Sequence, residues 1–301
     1  MSDFHHETVR CPQCGSIELF EVQHIHPKWV YNGSCSKCSL PITEENWDST
    51  GHLWNKDMMS VLFRMKSNNK NLVIITDPPY GVRQSDKETD FEWDDEKDFI
   101  RNIQPWLSEC LRVTEHTVIW HCAGSMLPYI FSDKHLRETY MRLHFWEKPP
   151  GSQYNGASNN NTWYNTEPIL IFSKDKERTK TNYDKDIPFA YDNMSYPTVA
   201  KKKYGHPTTK PLGEIIELVL HYTLPEDTIL DPFAGSMTLA EACIKTGRKY
   251  ICIEKDEGNY QRGLKRIAGL NTEPDFFSSI VKPTKKFRKD ANQQSMELEG
   301  D

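Results

Sequence analysis

A strand–loop–helix–strand unit between residues 228 and 254 constrains the fold of this chain more than any other feature. Two short apolar runs, TILDP (228–232) and KYICIE (249–254), are typical of buried strands, and LAEACIKTG (239–247) between them predicts a helix. Strands that alternate with helices in this way pair in parallel and have both faces covered. The unit therefore predicts an α/β sandwich with a mostly parallel sheet.

The same alternation extends over most of the chain. Further buried strands are predicted at NLVIIT (71–76), HTVIWHC (116–122), LHFWEK (143–148) and PILIF (168–172), and helices at 98–112 and 211–223. We assign these elements to one domain over residues 52–281. The remaining residues, 282–301, contain few apolar side chains, so we predict a disordered tail there.

Four of the eight cysteines lie near the N-terminus as two Cys-x-x-Cys pairs, Cys11 with Cys14 and Cys35 with Cys38. Each pair folds into a tight turn that aims both sulfurs at one metal ion, and the spacing is that of a four-thiolate zinc site. So short a segment needs the metal for stability, because its own core is too small. We predict a structural zinc ribbon over residues 1–48. Two disulfides or unliganded thiols are the alternatives.

Charge and hydropathy limit the class of protein. The formal net charge of −6 excludes a basic coat of the histone-like kind and, taken alone, favours a soluble enzyme that acts on a small molecule. No apolar run is long enough to cross a membrane, and the first residues lack the apolar region of a signal peptide. We therefore expect a cytoplasmic protein with reduced cysteines and no membrane partner.

The residues from Asp231 to Thr238 lie between the first strand of the opening unit and its helix. Gly235 lets the backbone approach a ligand, and the helix N-terminus offers free N–H groups to a carboxylate or phosphate. Glu254, at the end of the next strand, can accept hydrogen bonds from two ribose hydroxyls. The pattern indicates a nucleotide-type cofactor site, with an ordinary strand–helix turn as the alternative.

A tetrapeptide of Asp77, Pro78, Pro79 and Tyr80 directly follows the predicted strand 71–76. Its position is the carboxyl end of a strand, where doubly wound sheets carry their sites. The prolines stiffen the turn and leave the Asp77 carboxylate and the Pro78 carbonyl as acceptors without a competing N–H. Two acceptors beside a flat tyrosine ring suit an exocyclic amino group on a planar base. A rigid turn with a packed tyrosine is the alternative.

The two motifs together resemble those of the DNA amino-methyltransferases, which use S-adenosylmethionine (SAM) to methylate the exocyclic nitrogen of adenine or cytosine. The tetrapeptide precedes the Asp-Pro-Phe-Ala-Gly-Ser motif at 231–236, an order similar to that of the beta class. Two further matches are HPTTKP (206–211) and EPILIF (167–172). The resemblance covers roughly residues 52–270. It implies a Rossmann-like SAM-dependent methyltransferase fold.

The resemblance also implies a role for each matching residue. Asp77, Pro78, Pro79 and Tyr80 would form the catalytic site, in which Tyr80 stacks on a flipped base and Asp77 accepts a hydrogen bond from its amine. The cofactor would be held by Asp57, Thr208, Lys210, Asp231, Phe233, Gly235, Ser236 and Glu254. The family usually has glycine where this chain has Met237, and a side chain that blocks close approach there would weaken SAM binding.

Aspartate at the first position of the tetrapeptide resembles the adenine-modifying members, whereas cytosine-modifying members more often have serine there. We therefore expect methylation of adenine N6 in a specific sequence of double-stranded DNA, on a base flipped out of the helix. Cytosine-N4 methylation and an RNA target are alternatives within the class. A non-catalytic zinc-ribbon DNA-binding protein on a methyltransferase fold is the alternative from another class. An oxidoreductase is less favoured because the sequence has no G-x-G-x-x-G pattern.

The chain order of the beta class implies a DNA-recognition region at about residues 174–205. The surrounding segment 174–210 is basic, with nine Lys or Arg residues and five Asp or Glu residues. Within it, Lys201, Lys202 and Lys203 are the predicted phosphate contacts, with a solvated charged loop as the alternative. Beta-class members are often dimers, so we expect a homodimer by analogy.

Overall fold

The structure is a computed structural model that describes residues 4–25, 28–30, 33–39, 41–42, 49–80, 96–149, 165–175, 192–200 and 209–270. Strands within these residues are Phe4–Arg10 (β1), Ile17–Ile25 (β2), Lys28–Val30 (β3), Gly33–Ser34 (β4), Pro41–Ile42 (β5), Ser49–Asn55 (β6), Leu72–Thr76 (β7), Thr117–His121 (β8), Tyr140–Glu147 (β9), Thr166–Ser173 (β10), Asn193–Ser195 (β11), Thr228–Asp231 (β12) and Lys249–Glu254 (β13). Helices are Met58–Leu62 (α1), Glu96–Val113 (α2), Leu127–Ile130 (α3), Lys134–Thr139 (α4), Leu212–Tyr222 (α5), Thr238–Thr246 (α6) and Glu257–Ala268 (α7).

Eleven strands form one sheet in the order β11-β9-β10-β8-β7-β12-β13-β6-β1-β2-β3, and β4 and β5 form a separate pair. From β11 to β6, β10 is antiparallel to both of its neighbours, and the other pairings are parallel. This topology confirms the α/β fold with a mostly parallel sheet that the sequence predicts.

The central strand β7 is buried on both faces, which explains why it reads as a continuous apolar run. Val73 and Ile75 belong to the core layer that contains α5, α6 and α7. Leu72 and Ile74 point to the other face and belong to the layer that contains α2. The sheet is therefore the middle of a three-layer sandwich, and its strand ends are the places where polar side chains emerge.

The N-terminal strands continue this sheet. β1 pairs antiparallel with β6 on one side and with β2 on the other. Hydrogen bonding therefore crosses the predicted boundary between a ribbon at residues 1–48 and a domain at residues 52–281. Whether these are separate folding units stays a prediction. The predicted tail, residues 282–301, lies outside the described residues.

The carboxyl ends of β6, β7, β8, β12 and β13 meet at one edge of the sheet, because these strands are parallel. β10 runs the other way, so its first residues lie at the same edge. We call this the carboxyl edge. It brings together Asp77, His121, Glu167, Asp231 and Glu254, which are far apart in the sequence.

None of the helices in the described parts of the chain combines the length and the apolar character that a membrane span requires.

Candidate active site

The two sequence motifs meet at the carboxyl edge because β7 and β12 are neighbours. The Thr76 hydroxyl donates to Oδ1 of Asp231 over 2.7 Å, and the backbone N–H of Phe233 donates to the same oxygen over 3.1 Å. Burial raises the pKa of Asp231 to about 7, although both hydrogen bonds favour the charged form. The residue before Asp77 is thus bonded directly to the first residue of the predicted cofactor loop.

Asp77 lies in a network with Tyr80, Lys210 and Glu167. The Tyr80 hydroxyl donates to Oδ1 of Asp77, and Nζ of Lys210 is 3.1 Å from that oxygen. The same Nζ donates to Glu167 over 2.8 Å and to the Tyr80 hydroxyl over 3.0 Å. Burial alone would lower the pKa of Lys210, but the two carboxylates raise it above its usual range. Lys210 is therefore a permanent cation at the centre of this site.

Glu167 is a member of this network whose polar role the sequence did not indicate. Its second oxygen accepts a hydrogen bond from Lys148, which follows β9. Burial alone would raise the pKa of Glu167, but Lys210 and Lys148 hold it at about 2. The ring of Trp146 lies beneath both ammonium groups, with centroids 5.2 Å from Lys210 Nζ and 4.9 Å from Lys148 Nζ. Lys148, Lys210 and Glu167 thus fix the wall of the site next to Asp77.

A buried pair that the sequence analysis missed lies directly behind Asp77. Nε2 of His121 is 2.7 Å from Oε1 of Glu214, and both side chains are fully buried. Nδ1 of His121 is 3.0 Å from the carbonyl oxygen of Thr76. Both ring nitrogens face oxygen atoms, and the imidazolium can donate to both of them. Burial lowers the pKa of His121, but the hydrogen bond and charge of Glu214 more than offset this and raise it. His121 therefore holds the peptide group that precedes Asp77.

The predicted cofactor loop is tied to the end of β13. The backbone N–H of Gly235 donates to Oε2 of Glu254 over 2.7 Å, and that of Asp256 donates to Oε1 over 2.8 Å. Gly235 has a φ of 47°, a left-handed conformation that suits glycine. Burial raises the pKa of Glu254. The glycine and the acid that the sequence predicted to share a site are therefore direct neighbours.

Met237 is the residue that occupies the position where the family usually has glycine. It precedes α6 with φ 59° and ψ 37°, so a residue with a Cβ adopts the conformation that glycine favours. Its side chain is fully buried and packs closely against Gly263 of α7, where even a Cβ would come within 2.2 Å of Met237 Cγ. The side chain points into the core between α6 and α7.

Two other predicted residues stabilise the loop from its sides. The Ser236 hydroxyl accepts a hydrogen bond from Thr209 over 3.2 Å, and its carbonyl accepts one from Arg266 over 2.9 Å. The ring of Phe233 packs against Trp106, with centroids 5.0 Å apart. Part of Phe233 remains accessible at the carboxyl edge.

Asp57 lies near this edge as the N-cap of α1. Its carboxylate accepts hydrogen bonds from the backbone N–H groups of Met59 over 3.0 Å and Ser60 over 3.4 Å. Its other oxygen is 3.9 Å from Nζ of Lys255, which follows Glu254. Thr208, Lys201, Lys202, Lys203 and most of the predicted recognition region at 174–205 lie outside the described residues.

The four N-terminal cysteines converge, with all four sulfurs within 4.8 Å of one another. Sγ of Cys11 is 3.6 Å from Sγ of Cys38, and Sγ of Cys14 is 3.5 Å from Sγ of Cys35, so no disulfide joins them. The residue after each pair, Gly15 or Ser39, is left-handed and donates its N–H to the first cysteine of that pair. The two turns therefore have the same backbone geometry.

Comparison with known proteins identifies relatives of this chain. The DNA methylase family model matches residues 72–265. DNA adenine methyltransferase YhdJ of Escherichia coli (strain K12) is 26% identical over 238 residues, which cover 70% of this chain and 80% of the relative. Type II methyltransferase M.HinfI of Haemophilus influenzae is 24% identical over 262 residues, which cover 71% of this chain and 68% of the relative.

Solved structures show the same fold at lower sequence identity. The cytosine-N4-specific PvuII DNA methyltransferase has a TM-score of 0.59 at 16% identity, over 77% of this chain and 92% of that one. The SAM complex of M1.HpyAVI has a TM-score of 0.50 at 24% identity, over 71% of this chain and 98% of that one. These likenesses confirm a SAM-dependent methyltransferase fold. With the family model matched over well over half of its length, the chain belongs to the family of DNA methylases that modify adenine N6 or cytosine N4.

Proposed function

We propose that this protein transfers a methyl group from SAM to the N6 amine of adenine in a specific sequence of double-stranded DNA. The observation that carries the proposal is the contact between the two motifs. Asp77 follows Thr76, whose hydroxyl donates to Asp231 over 2.7 Å. A base held at Asp77 and a cofactor held at the 231–236 loop would therefore be side by side, which is the arrangement that group transfer needs.

The residues of the loop and its surroundings fit SAM. Asp231 and Gly235 would line the pocket of the methionine portion, with Thr208, Lys210 and Ser236 closing on it. Glu254 would accept hydrogen bonds from the ribose hydroxyls, and Asp57 would contact the adenine. Phe233 would lie against the adenine or the methionine portion. The buried carboxylate of Asp231 suits a ligand with positive charge. When bound, SAM supplies a methyl group on a positively charged sulfur.

The tetrapeptide fits a flipped base. The ring of Tyr80 would stack on the base, which stabilises it outside the helix by about 1–3 kcal/mol. The Asp77 carboxylate and the Pro78 carbonyl would accept the two N–H bonds of the amine, while Pro79 stiffens the turn. The amine lone pair would then leave the plane of the ring and point toward the cofactor site. Lys210 would balance the negative charge of Asp77 throughout.

Adenine is favoured over cytosine by two observations. The tetrapeptide begins with aspartate, as in the adenine-modifying members that it resembles, and YhdJ is named a DNA adenine methyltransferase. PvuII methyltransferase supports the fold alone, because its identity to this chain is 16%. We propose DNA contacts from Lys201, Lys202 and Lys203 in the recognition region at about 174–205. A homodimer also stays a prediction, which light scattering in solution tests.

We also propose that Cys11, Cys14, Cys35 and Cys38 bind a structural zinc ion. Zn–S bonds of about 2.3 Å in a tetrahedron separate the sulfurs by about 3.8 Å. The sulfur–sulfur distances of 3.6 Å between Cys11 and Cys38 and 3.5 Å between Cys14 and Cys35 are close to this value. The hydroxyl and backbone N–H of Ser16 lower the pKa of Cys14 to about 6, which favours the thiolate that binds metal.

Nucleoside analysis after reaction tests the proposed function. DNA and RNA free of methylated bases are incubated with the full chain and SAM, and the modified nucleosides are measured by mass spectrometry. N6-methyladenine in DNA is expected, and Asp77→Ala should lower its rate by about 10²–10³-fold or more. Glu226→Ala is the matched control, since this exposed acid precedes β12 at the opposite edge of the sheet.

Each other outcome has a defined meaning. N4-methylcytosine would replace the adenine assignment, and modified RNA alone would replace the DNA substrate. No product together with no thermal shift from millimolar SAM would favour a non-catalytic DNA-binding protein.

A further inference from the structure

Three metal-ligating side chains share one face of the sheet where the N-terminal strands join it. His5 and Glu7 are two residues apart on β1, so their side chains point to the same face. His52 lies on β6 directly opposite Glu7 in the antiparallel register. This cluster is separate from the four cysteines and from the carboxyl edge, and the proposed function does not use it.

The ligand atoms of the cluster are close together. Oε1 of Glu7 is 2.6 Å from Nε2 of His5 and 3.1 Å from Nδ1 of His52, and all three atoms lie within 4.8 Å of one another. The side chains of His5 and Glu7 are 2% and 5% exposed, whereas that of His52 is 39% exposed. A carboxylate this buried requires a positive partner. The two imidazoles meet that need either as hydrogen-bond donors or as fellow ligands of a cation.

Neighbouring side chains orient the cluster. The ring of His5 stacks on Trp54, two residues beyond His52 on β6, with centroids 4.2 Å apart and planes 7° apart. Stacking fixes the plane of the imidazole, as outer contacts do at metal sites. His6 points to the other face, where its Nδ1 is 3.0 Å from the Tyr260 hydroxyl. The alternation of β1 therefore separates one histidine from the cluster.

We propose that His5, Glu7 and His52 bind a divalent transition metal ion of the zinc class. Two imidazole nitrogens and one carboxylate oxygen are ligands that Zn²⁺ accepts at about 2.0–2.2 Å, with a water as fourth ligand. Such bond lengths in a tetrahedron separate the ligand atoms by about 3.3–3.5 Å. The present contacts to Oε1 need to open by less than 1 Å. The accessible side of His52 offers the entry path and the water position.

The metal would connect the N-terminal strands to the cofactor side of the sheet. β6 continues from His52 to Asn55, whose side chain donates to the carbonyl of Glu254 over 3.2 Å. Cross-linking β1 to β6 through the ion would therefore stabilise both the pairing of the strands and the position of Asn55. We expect a structural ion that raises the thermal midpoint.

Metal counting on the full chain tests this site. Protein without a histidine tag is stripped of metal, loaded with Zn²⁺ and dialysed, and zinc is measured by mass spectrometry. His52→Ala and Glu7→Gln should each contain one zinc per chain less than the wild type, whereas His6→Ala should match the wild type. Replacing all four N-terminal cysteines with serine should leave the His52-dependent ion in place, which separates this proposal from the cysteine site.

Cobalt substitution shows whether a variant that has lost an ion still has an intact cysteine site. Co²⁺ at the cysteines would give an intense thiolate charge-transfer band, which a site with nitrogen and oxygen ligands lacks. His52→Ala should retain that band while losing one ion per chain. Equal metal contents in the wild type, His52→Ala and Glu7→Gln would overturn the proposal, as would loss of an ion in His6→Ala to the same extent as in His52→Ala.

Discussion

Nζ of Lys210 lies 3.1 Å from Oδ1 of Asp77, and the Lys210 side chain is only 7% exposed. The contact joins the segment before α5 to the end of β7, and Glu167 of β10 completes it. The surroundings of Asp77 are therefore built by residues from three separate parts of the chain.

Replacing Lys210 with methionine should disable the enzyme and destabilise the fold. The substitution keeps the length of the side chain but leaves Asp77 and Glu167 without their shared cation. Removing one partner of a buried ion pair costs about 3–5 kcal/mol. Only part of this cost is expected here, because Lys148 still contacts Glu167. We expect at least a tenfold fall in kcat and a lower free energy of unfolding, measured by methyl transfer and by denaturant titration.

Lys134→Met provides the control, because Lys134 is 82% exposed and contacts Glu138 on the helix surface. Its effect should stay within about 0.5 kcal/mol. Equal effects of the two substitutions would refute the central role of Lys210.

Glu214→Gln should change how stability depends on pH. The folded-state pKa of His121 is raised above 6.5, so its stabilising contribution is fully present below pH 6.5 and is lost as pH rises through the folded pKa. In Glu214→Gln, no carboxylate at this position offsets the lowering of the His121 pKa by burial. The loss of stability above pH 6.5 should therefore disappear. The variant should also be less stable near pH 6 by about 1 kcal/mol, because the amide replaces a charge-assisted hydrogen bond with a neutral one.

Thermal unfolding of both proteins between pH 6 and 9 measures this effect. Subtracting the two curves removes groups that titrate alike in both proteins, and His135→Ala on the exposed surface of α4 is the control. Parallel curves for the wild type and Glu214→Gln would contradict a charged His121.

Asp231→Asn should stabilise the protein without SAM at alkaline pH. The folded-state pKa of about 7 exceeds the ordinary value of 3.8, so folding favours the protonated carboxyl and stability falls as pH rises from about 4 to 7. Asparagine keeps an oxygen that accepts from Thr76 and Phe233 but carries no charge. The thermal midpoint of the variant relative to wild type should therefore be higher at pH 8 than at pH 5.

The same substitution, Asp231→Asn, should weaken SAM binding although it stabilises the protein at alkaline pH. If the charge of Asp231 serves the cofactor, calorimetry at pH 8 should show at least tenfold weaker SAM binding to Asp231→Asn. Unchanged affinity would remove Asp231 from the proposed pocket.

Zinc removal should affect the N-terminal strands first. Cys11→Ser together with Cys14→Ser should lower the thermal midpoint by several degrees and increase amide exchange in β1 and β2. Cys110→Ser is the matched control, since Cys110 is a fully buried residue of α2 and lies away from the cluster. A zinc content unaffected by the paired substitution would contradict a four-thiolate site.

The sequence was sufficient for the apolar strands β7, β8, β9, β10, β12 and β13 and for two motifs. It did not indicate β1, β6 or β11, or the network between the motifs. Apolar runs such as β7 and β12 are visible because burial on both faces demands them, and parallel strands bring their carboxyl ends, and so Asp77 and Asp231, to one edge. The order of strands within the sheet is not encoded in any local pattern. The antiparallel joining of β1 to β6 therefore became visible only in the structure.

His121 and Glu167 show why the sequence did not indicate the remaining residues of the site. His121 ends an apolar run, and nothing local indicates that its ring meets Glu214 from α5. Glu167 lies at the start of an apolar strand, and its role depends on Lys148 and Lys210. Met237 was noticed by comparison with the family, but its left-handed backbone and its burial against Gly263 required coordinates.

At Met237, glycine should be a more stable replacement than alanine, which reverses the usual order of these two residues. Met237 has a left-handed backbone and a fully buried side chain. Removing the side chain should cost about 2–5 kcal/mol through the cavity it leaves, while glycine at this φ recovers about 1 kcal/mol that alanine does not. Met237→Gly should therefore be more stable than Met237→Ala, although both are less stable than the wild type.

Leu239, the second residue of α6, provides the contrast. It is buried within α6 in ordinary helical conformation, so Leu239→Ala should be more stable than Leu239→Gly by about 0.5–1 kcal/mol. Denaturant unfolding of the four variants measures both orders. Because the Met237 side chain points into the core rather than toward Glu254, SAM affinity in Met237→Gly should remain within threefold of the wild type. A large gain in affinity would instead mean that this methionine obstructs the cofactor.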